Sequence, residues 1–249
     1  MAVIYGIAPV LEALRSGKRR VKEVWLAHGT KPHRWQELRA LAGQARIPLS
    51  EVERSRLDAI TRRANHQGVV ALVSAVGYAD LEEVLSGITG SPLLVVLDQV
   101  EDPHNLGAVI RTAECASAHA VIIPEHHAVG LTEAAVKASA GATEYLPVVR
   151  VVNLATTLDS LRQRDIWIVG VERDGERPYV GWDFTLPTAV VLGSEGKGIR
   201  RLVRERCDLV VSLPLLGNIT SLNVSVAAGV VLYEAVRQRH LLSLAGGQA

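Results

Sequence analysis

From residue 92 onward the chain alternates short apolar runs with segments of helical periodicity, and no other feature constrains its fold as tightly. Runs at 93–97, 120–123, 145–152, 166–171, 189–192 and 209–213 are rich in Val, Ile and Leu. Between them, 106–116, 132–140, 154–163 and 199–205 place apolar residues at helical spacing, and a long helix over 221–240 is expected to close the chain. Continuous rather than alternating hydrophobicity predicts strands covered on both faces. The repetition predicts an α/β domain with a parallel, doubly wound sheet, which takes ligands at the carboxyl ends of its strands.

Residues 1–77 follow another rhythm. Segments 8–15 and 32–45 read as helices, and 21–27 and 68–73 as strands, which makes a small α/β module. A stretch bounded by Gly and Pro, 78–91, with one helical pattern at 80–85, is expected to link it to a larger domain over 92–249. The formal net charge of +1 hides an asymmetry. Residues 1–77 hold 13 Lys+Arg against 6 Asp+Glu, and the remainder holds 14 against 20. An excess of +7 on a small module suits a polyanionic partner, although a solvated surface has the same composition.

Two cysteines, Cys115 and Cys207, exclude a disulfide framework and a four-cysteine zinc site. They are expected to be small buried hydrophobes in a reduced, cytoplasmic compartment. The first residues, with no basic stretch and with Glu12 as an interruption, are not expected to be a signal peptide. Residues 209–233 carry no charge over a length that could span a bilayer. Pro214, Gly217, Asn218, Thr220, Ser221, Asn223 and Ser225 would strand polar groups in lipid, so strand, loop and helix of a soluble protein are expected instead.

Three segments carry candidate chemistry. In 97–116 a strand enters a polar loop and then a helix. Asn105 suits a helix N-cap, and Arg111 could pair with Glu114 one turn on. In 190–199 a buried strand ends in a Gly-rich turn. Gly196-Lys197 is followed by Gly198, not Ser or Thr, so the turn is no Walker loop, and Glu195 would repel phosphate. A cationic or neutral ligand fits better. In 212–239 a polar loop precedes a helix that Ser221 is expected to cap, with Val224, Ala227, Ala228 and Val231 on its buried face. Glu125-His126-His127 reads as a solvated loop, because adjacent residues seldom converge on one ion.

In this order and spacing, the segments closely resemble the motifs of the SpoU (TrmH) branch of the SPOUT methyltransferases. Asn105 and Arg111 match the first motif, and Gly193-Ser194-Glu195-Gly196 the second. Leu213-Pro214 with Ser221-Leu222-Asn223-Val224-Ser225 matches the third. Tyr5-Gly6 and His66-Gln67-Gly68-Val69 resemble that family's substrate-binding extension. The resemblance implies a C-terminal α/β knot with a deep trefoil and a mostly parallel sheet, preceded by an L30e-like RNA-binding domain. It implies S-adenosylmethionine bound by the loops of Gly193, Leu213 and Leu222, with Ser194, Gly196 and Gly217 as neighbours. Catalytic roles fall on Arg111, Asn105, Glu195, Ser221 and Asn223, with no metal. Arg237 and Arg239 become candidate RNA phosphate contacts, with a surface ion pair as the alternative. The implied reaction is 2′-O-methylation of a guanosine in 23S rRNA, free or in a large-subunit assembly intermediate. The implied assembly is a homodimer through the knot whose active sites draw on both subunits. A tRNA ribose methyltransferase and a non-catalytic ribosome-assembly factor are the competing readings. The extension argues against the first, and the intact motif residues argue against the second.

Overall fold

The computed structural model describes residues 1–29, 31 and 34–246. It divides the chain into two compact units, residues 1–77 with 131–145, and 78–130 with 146–249. The elements of the first stretch are β1 (Ala2–Tyr5), α1 (Ile7–Ser16), β2 (Val21–Ala27), α2 (Trp35–Gln44), β3 (Leu49–Val52), α3 (Arg54–Ile60) and β4 (Val69–Val73). There follow α4 (Leu81–Ser86), β5 (Leu93–Leu97), α5 (Pro103–Cys115), β6 (Ala120–Pro124), α6 (Glu133–Ala138), β7 (Val148–Val151) and α7 (Leu154–Arg162). The last stretch holds β8 (Trp167–Val171), β9 (Arg177–Pro178), β10 (Thr188–Leu192), α8 (Arg201–Arg204), β11 (Leu209–Ser212) and α9 (Val224–Gly246).

The first unit is a four-stranded sheet in the order β1-β4-β2-β3, antiparallel except for the β2–β3 pair. Strand alternation sorts its core onto two faces. Val24, Leu26, Val69, Ala71 and Val73 pack with Val10, Leu11 and Leu14 of α1 and Leu38 and Ala42 of α2. Trp25, Ala27 and Val70 pack with Leu57 of α3 on the other face. The helix expected over 32–45 is observed at Trp35–Gln44, and Pro32 lies outside the described residues. Residues 131–145, which the apolar rhythm assigns to the larger domain, group here. Val136 of α6 joins the α1–α2 face, and Arg19 pairs with buried Glu144.

The second unit is a seven-stranded sheet in the order β7-β6-β5-β10-β8-β11-β9, with every pairing parallel. All residues of β5, β6 and β10 are buried, as continuous apolar runs require of strands covered on both sides. On one face Leu94, Val96, Ile122 and Val191 pack with Leu154, Leu158 and Leu161 of α7 and Val203 of α8. Helices α5 and α9 pack together closely, with the Thr112 methyl 3.8 Å from where a Cβ on Gly229 would stand. Residues 78–91, expected as a linker, belong to this unit. Asp80 caps α4, and Leu81, Val84, Leu85 and Ile88 pack on the α7 face. No helix among the described residues is long and apolar enough to cross a membrane; the uncharged stretch 209–233 is β11, a loop and the start of α9.

Candidate active site

Parallel pairing places the loops that follow β5, β8, β10 and β11 at one edge of the sheet. The loop after β5 is anchored by Asp98, fully buried, which accepts from the Arg200 backbone N–H at 2.8 Å and its Nε at 2.8 Å. Asp102 then caps α5 by accepting from the His104 N–H at 2.8 Å, and Pro103 opens the helix. Asn105 is therefore not the N-cap that its residue type suggests. With the cap already supplied, its side chain is available for contacts elsewhere.

The turn after β10 reverses on itself. Gly198 has a φ of +66° and donates its N–H to the Ser194 carbonyl at 2.8 Å. A Cβ on Gly193 would overlap the Gly198 carbonyl carbon, so glycine is required at that crossing. Glu172, the first residue after β8, accepts from the Ile199 N–H at 2.8 Å and ties the turn to its neighbouring strand. Helix α9 begins at Val224 and is capped by Asn223, not Ser221. The Asn223 Oδ1 accepts from the Ser225 N–H at 2.9 Å.

The three segments meet in one hydrogen-bonded cluster. Asn105 Nδ2 donates to Glu195 Oε1 at 2.9 Å across 90 residues of sequence. Asn223 Nδ2 donates to Glu195 Oε1 at 2.6 Å and to Asn105 Oδ1 at 2.9 Å. The Val224 N–H adds a contact to the same Glu195 oxygen at 3.3 Å. Two cavities flank the cluster. One, of about 320 Å³, lies over the ends of β8, β10 and β11 and is walled by Val171, Leu192, Leu213, Leu215, Leu222 and Ala227, with Gly193, Ser194, Gly196 and Ser221. The other, of about 240 Å³, includes Gln99, Glu101, Asp102 and Asn105. Residues 194–197 border both.

Of the residues expected at the site, Gly193, Ser194, Glu195, Gly196, Leu213, Ser221 and Leu222 border the first cavity, and Asn105 borders the second. Asn223 borders neither but is bonded to both Asn105 and Glu195. Gly217 is exposed in the loop before α9, away from both cavities. Arg111 is exposed on α5, six residues beyond Asn105, which is about 9 Å along a helix axis. The pairing with Glu114 does not form among the described residues, nor does any other ion pair of Arg111.

Two further expectations are corrected. Arg239 is a clamp, not a phosphate contact. It donates to the carbonyls of Phe184 at 2.8 Å, Ser91 at 2.9 Å, Pro92 at 2.9 Å and Leu186 at 3.3 Å, and burial lowers its pKa. Arg237 pairs with Glu234 one turn back, at 2.8 and 2.6 Å, which holds that carboxyl below the usual range. Cys115 is exposed instead of buried, whereas Cys207 is packed against the α7 face and its thiol is pushed up to about 12 by burial. Glu125, His126 and His127 are exposed after β6. Sequence reasoning missed Glu172 and Asp98. Each directly follows a buried strand, and that position was the available signal.

Comparison with known proteins agrees with this geometry. The model of the SpoU rRNA methylase family matches residues 92–233, and that of the RNA 2′-O ribose methyltransferase substrate-binding domain matches residues 3–79. The chain is 49% identical over 239 residues to the 23S rRNA (guanosine-2′-O-)-methyltransferase RlmB of Pseudomonas syringae pv. tomato, covering 95% of each. It is 42% identical over 240 residues to the putative TrmH family tRNA/rRNA methyltransferase YacO of Bacillus subtilis, covering 95% of this chain and 96% of the relative. The SpoU methyltransferase AviRb from Streptomyces viridochromogenes, solved in complex with AdoMet, superimposes with a TM-score of 0.81 at 30% identity. That match covers 95% of this chain and 89% of AviRb. With both family models in register, and the motif residues gathered at the strand ends, the chain belongs to the SpoU rRNA methylase family and has its α/β-knot fold.

Proposed function

We propose that this chain transfers a methyl group from S-adenosylmethionine to the ribose 2′-hydroxyl of a guanosine in 23S rRNA, free or within an assembling large subunit. The observation that carries the reading is the cluster of Asn105, Glu195 and Asn223, which joins three distant motifs between two cavities.

The first cavity suits the donor. Leucine and valine walls accept a flat heterocycle, and the bare backbone at Gly196 permits close approach. Its charged lining is Glu172, Asp174 and Glu195 with Arg173 and Lys197, and Glu172 and Asp174 are already paired with Arg204. When bound, the donor supplies an activated methyl group. The protein's part is alignment and charge management. Asn105, held in place by Glu195 and Asn223, orients the acceptor sugar in the second cavity. Ser221 closes the first cavity beside Leu222. Arg111 stabilises the developing 2′-alkoxide as the hydroxyl proton leaves to solvent, because a guanidinium is a poor base and a strong hydrogen-bond donor.

The working form is a homodimer through the knot region. Leu222, Val226, Val230 and Tyr233 are 38%, 50%, 37% and 52% exposed at helical spacing along and just before α9. An apolar stripe of this kind marks an interface. Arg111, unpaired and displaced along α5 from its own Asn105, is then contributed to the partner's site. The basic N-terminal unit engages the RNA, and the reaction takes place in the cytoplasm, where the substrate is.

Incubation with methyl-labelled donor and total RNA, followed by sizing, tests the reading. Label in 23S rRNA is the expected outcome. Label confined to tRNA moves the substrate, and absence of label from native protein removes the activity.

A further inference from the structure

The positive charge of the N-terminal unit is unevenly committed. Arg15 and Arg34 are paired with Glu37, and Arg19 with Glu144. Around α3 the balance differs. Between residues 54 and 63 four arginines, Arg54, Arg56, Arg62 and Arg63, stand against the single Asp58. Arg62 and Arg63 are exposed, and among the described residues neither side chain has an ion pair or hydrogen bond. With Ser55, Asp58 and Ala59 they line a concavity of about 500 Å³. Arg56 is stacked on the Trp25 ring, 4.5 Å from its centroid.

The backbone that presents these arginines is preformed. Arg62 and Arg63 have φ of +53° and +59°, and Gln67 has +54°, a region that side chains with a Cβ avoid. Such a conformation persists only where its surroundings over-determine it. Here the Arg63 N–H donates to the Asp58 carbonyl at 2.7 Å. His66 is buried, and its Nδ1 accepts from the Gly68 N–H at 3.0 Å. Its proton therefore sits on Nε2, which donates to Asp58 Oδ1 at 3.0 Å. Asp58 keeps its second oxygen and its charge beside the concavity, where the two arginines outnumber it. Gln67 Oε1 in turn accepts from the Ile7 N–H at 3.0 Å, which joins the His66-Gln67-Gly68 segment to Tyr5-Gly6. These motif residues hold the loop in shape; the arginines beside them face outward.

We propose that Arg62 and Arg63, with the Ser55 hydroxyl, form a phosphodiester-binding subsite that grips the backbone of the substrate RNA away from the methylated sugar. The proposal rests on the RNA-methyltransferase reading and gives its basic unit a specific contact. Unpaired guanidinium groups on a fixed concave surface provide paired donors matched to phosphate oxygens. Such contacts position a nucleic acid without reading its sequence.

The test uses the full chain and protein-free 23S rRNA. Arg62→Ala with Arg63→Ala, and separately Arg62→Gly with Arg63→Gly, remove both charges. The glycine pair suits the left-handed backbone and keeps the loop unstrained. Both should bind RNA about tenfold or more weakly, with a log–log salt slope shallower by about one to two. S-adenosylmethionine affinity and kcat at saturating RNA should be retained while KM for RNA rises. Arg62→Lys with Arg63→Lys should recover much of the affinity. Wild-type RNA affinity and salt slope in a folded glycine pair overturn the subsite, as does a loss confined to kcat. Failure of the unmutated protein to bind or methylate 23S rRNA, both protein-free and in large-subunit precursors, would instead defeat the reading beneath it.

Discussion

Glu195 occupies the junction of the site, and its bonding defines its role. One oxygen, Oε1, accepts from the Asn105 side chain, the Asn223 side chain and the Val224 N–H. With three donors Oε1 is a fixed point, and a general base, which must offer a free lone pair, could act only through Oε2, so two variants separate anchor from base. Glu195→Gln still offers an acceptor oxygen to the same donors and is expected to keep kcat within about tenfold. Glu195→Ala leaves two amides without their anchor and is expected to lose about a hundredfold or more, as mispositioned groups do. Equal inactivity of the two variants would identify the carboxylate as the proton acceptor and overturn this role. The residue types of the site were legible in the sequence, but their wiring was not. Asp102 and Asn105, like Ser221 and Asn223, rank alike as helix caps. Pro103 at the first helical position decides the first case in favour of Asp102, a local signal carried by the sequence itself. The second is decided by the tie from Asn223 to Asn105, across 118 residues, which no local rule contains.

Among the elements, those buried on both faces were the readable ones. Strands β5, β6, β8, β10 and β11 fall on their apolar runs within a few residues, because double burial imposes continuous hydrophobicity. Strand β3, with Ser50 and Glu51 in four residues, and helix α3, with Leu57 as its one buried residue, carry too little pattern to register. Strand β9 is a two-residue edge. Helices α5 and α9 matter differently, since each has one packed face and one open one. Their open faces carry Arg111 and the stripe from Leu222 to Tyr233. If the open faces meet across a two-fold axis, Arg111 and Asn105 of one working site come from different subunits. Arg111→Ala and Asn105→Ala enzymes, each inactive, should then complement. Unfolded and refolded together, they should recover about a quarter of wild-type activity, since half the dimers carry one intact site. A mixture as inactive as its components would place Arg111 in its own subunit's site.

At the scale of the whole molecule, the chain's two units do not coincide with its two stretches of sequence. Residues 131–145 lie inside the span matched by the methylase family yet group with residues 1–77. Hydrophobic rhythm could not reveal this, since α6 has the same helical spacing whichever unit covers it. The decisive contact is a charged one. Arg19 and Glu144 keep only 7% and 3% of their side-chain surface, with the Arg19 Nε 2.8 Å from Glu144 Oε1 and 3.0 Å from Oε2. Val136 lies among Ile4, Val10 and Leu38 in the same unit. Truncation of residues 1–77 therefore strips the cover from α6 and leaves Glu144 without its partner. Lost RNA binding in such a fragment would report misfolding as readily as a missing RNA surface, so point variants are the cleaner probe. Arg19→Met, which keeps the volume and removes the charge, should cost about 3–5 kcal/mol, the typical loss when one member of a buried ion pair is left alone. Arg19→Met combined with Glu144→Leu should regain most of that, because two apolar side chains require no desolvated charge. Urea unfolding of the full chain, followed by tryptophan fluorescence, separates the cases. A double variant no more stable than Arg19→Met alone would show that the pair holds the segment by geometry rather than by mutual neutralisation.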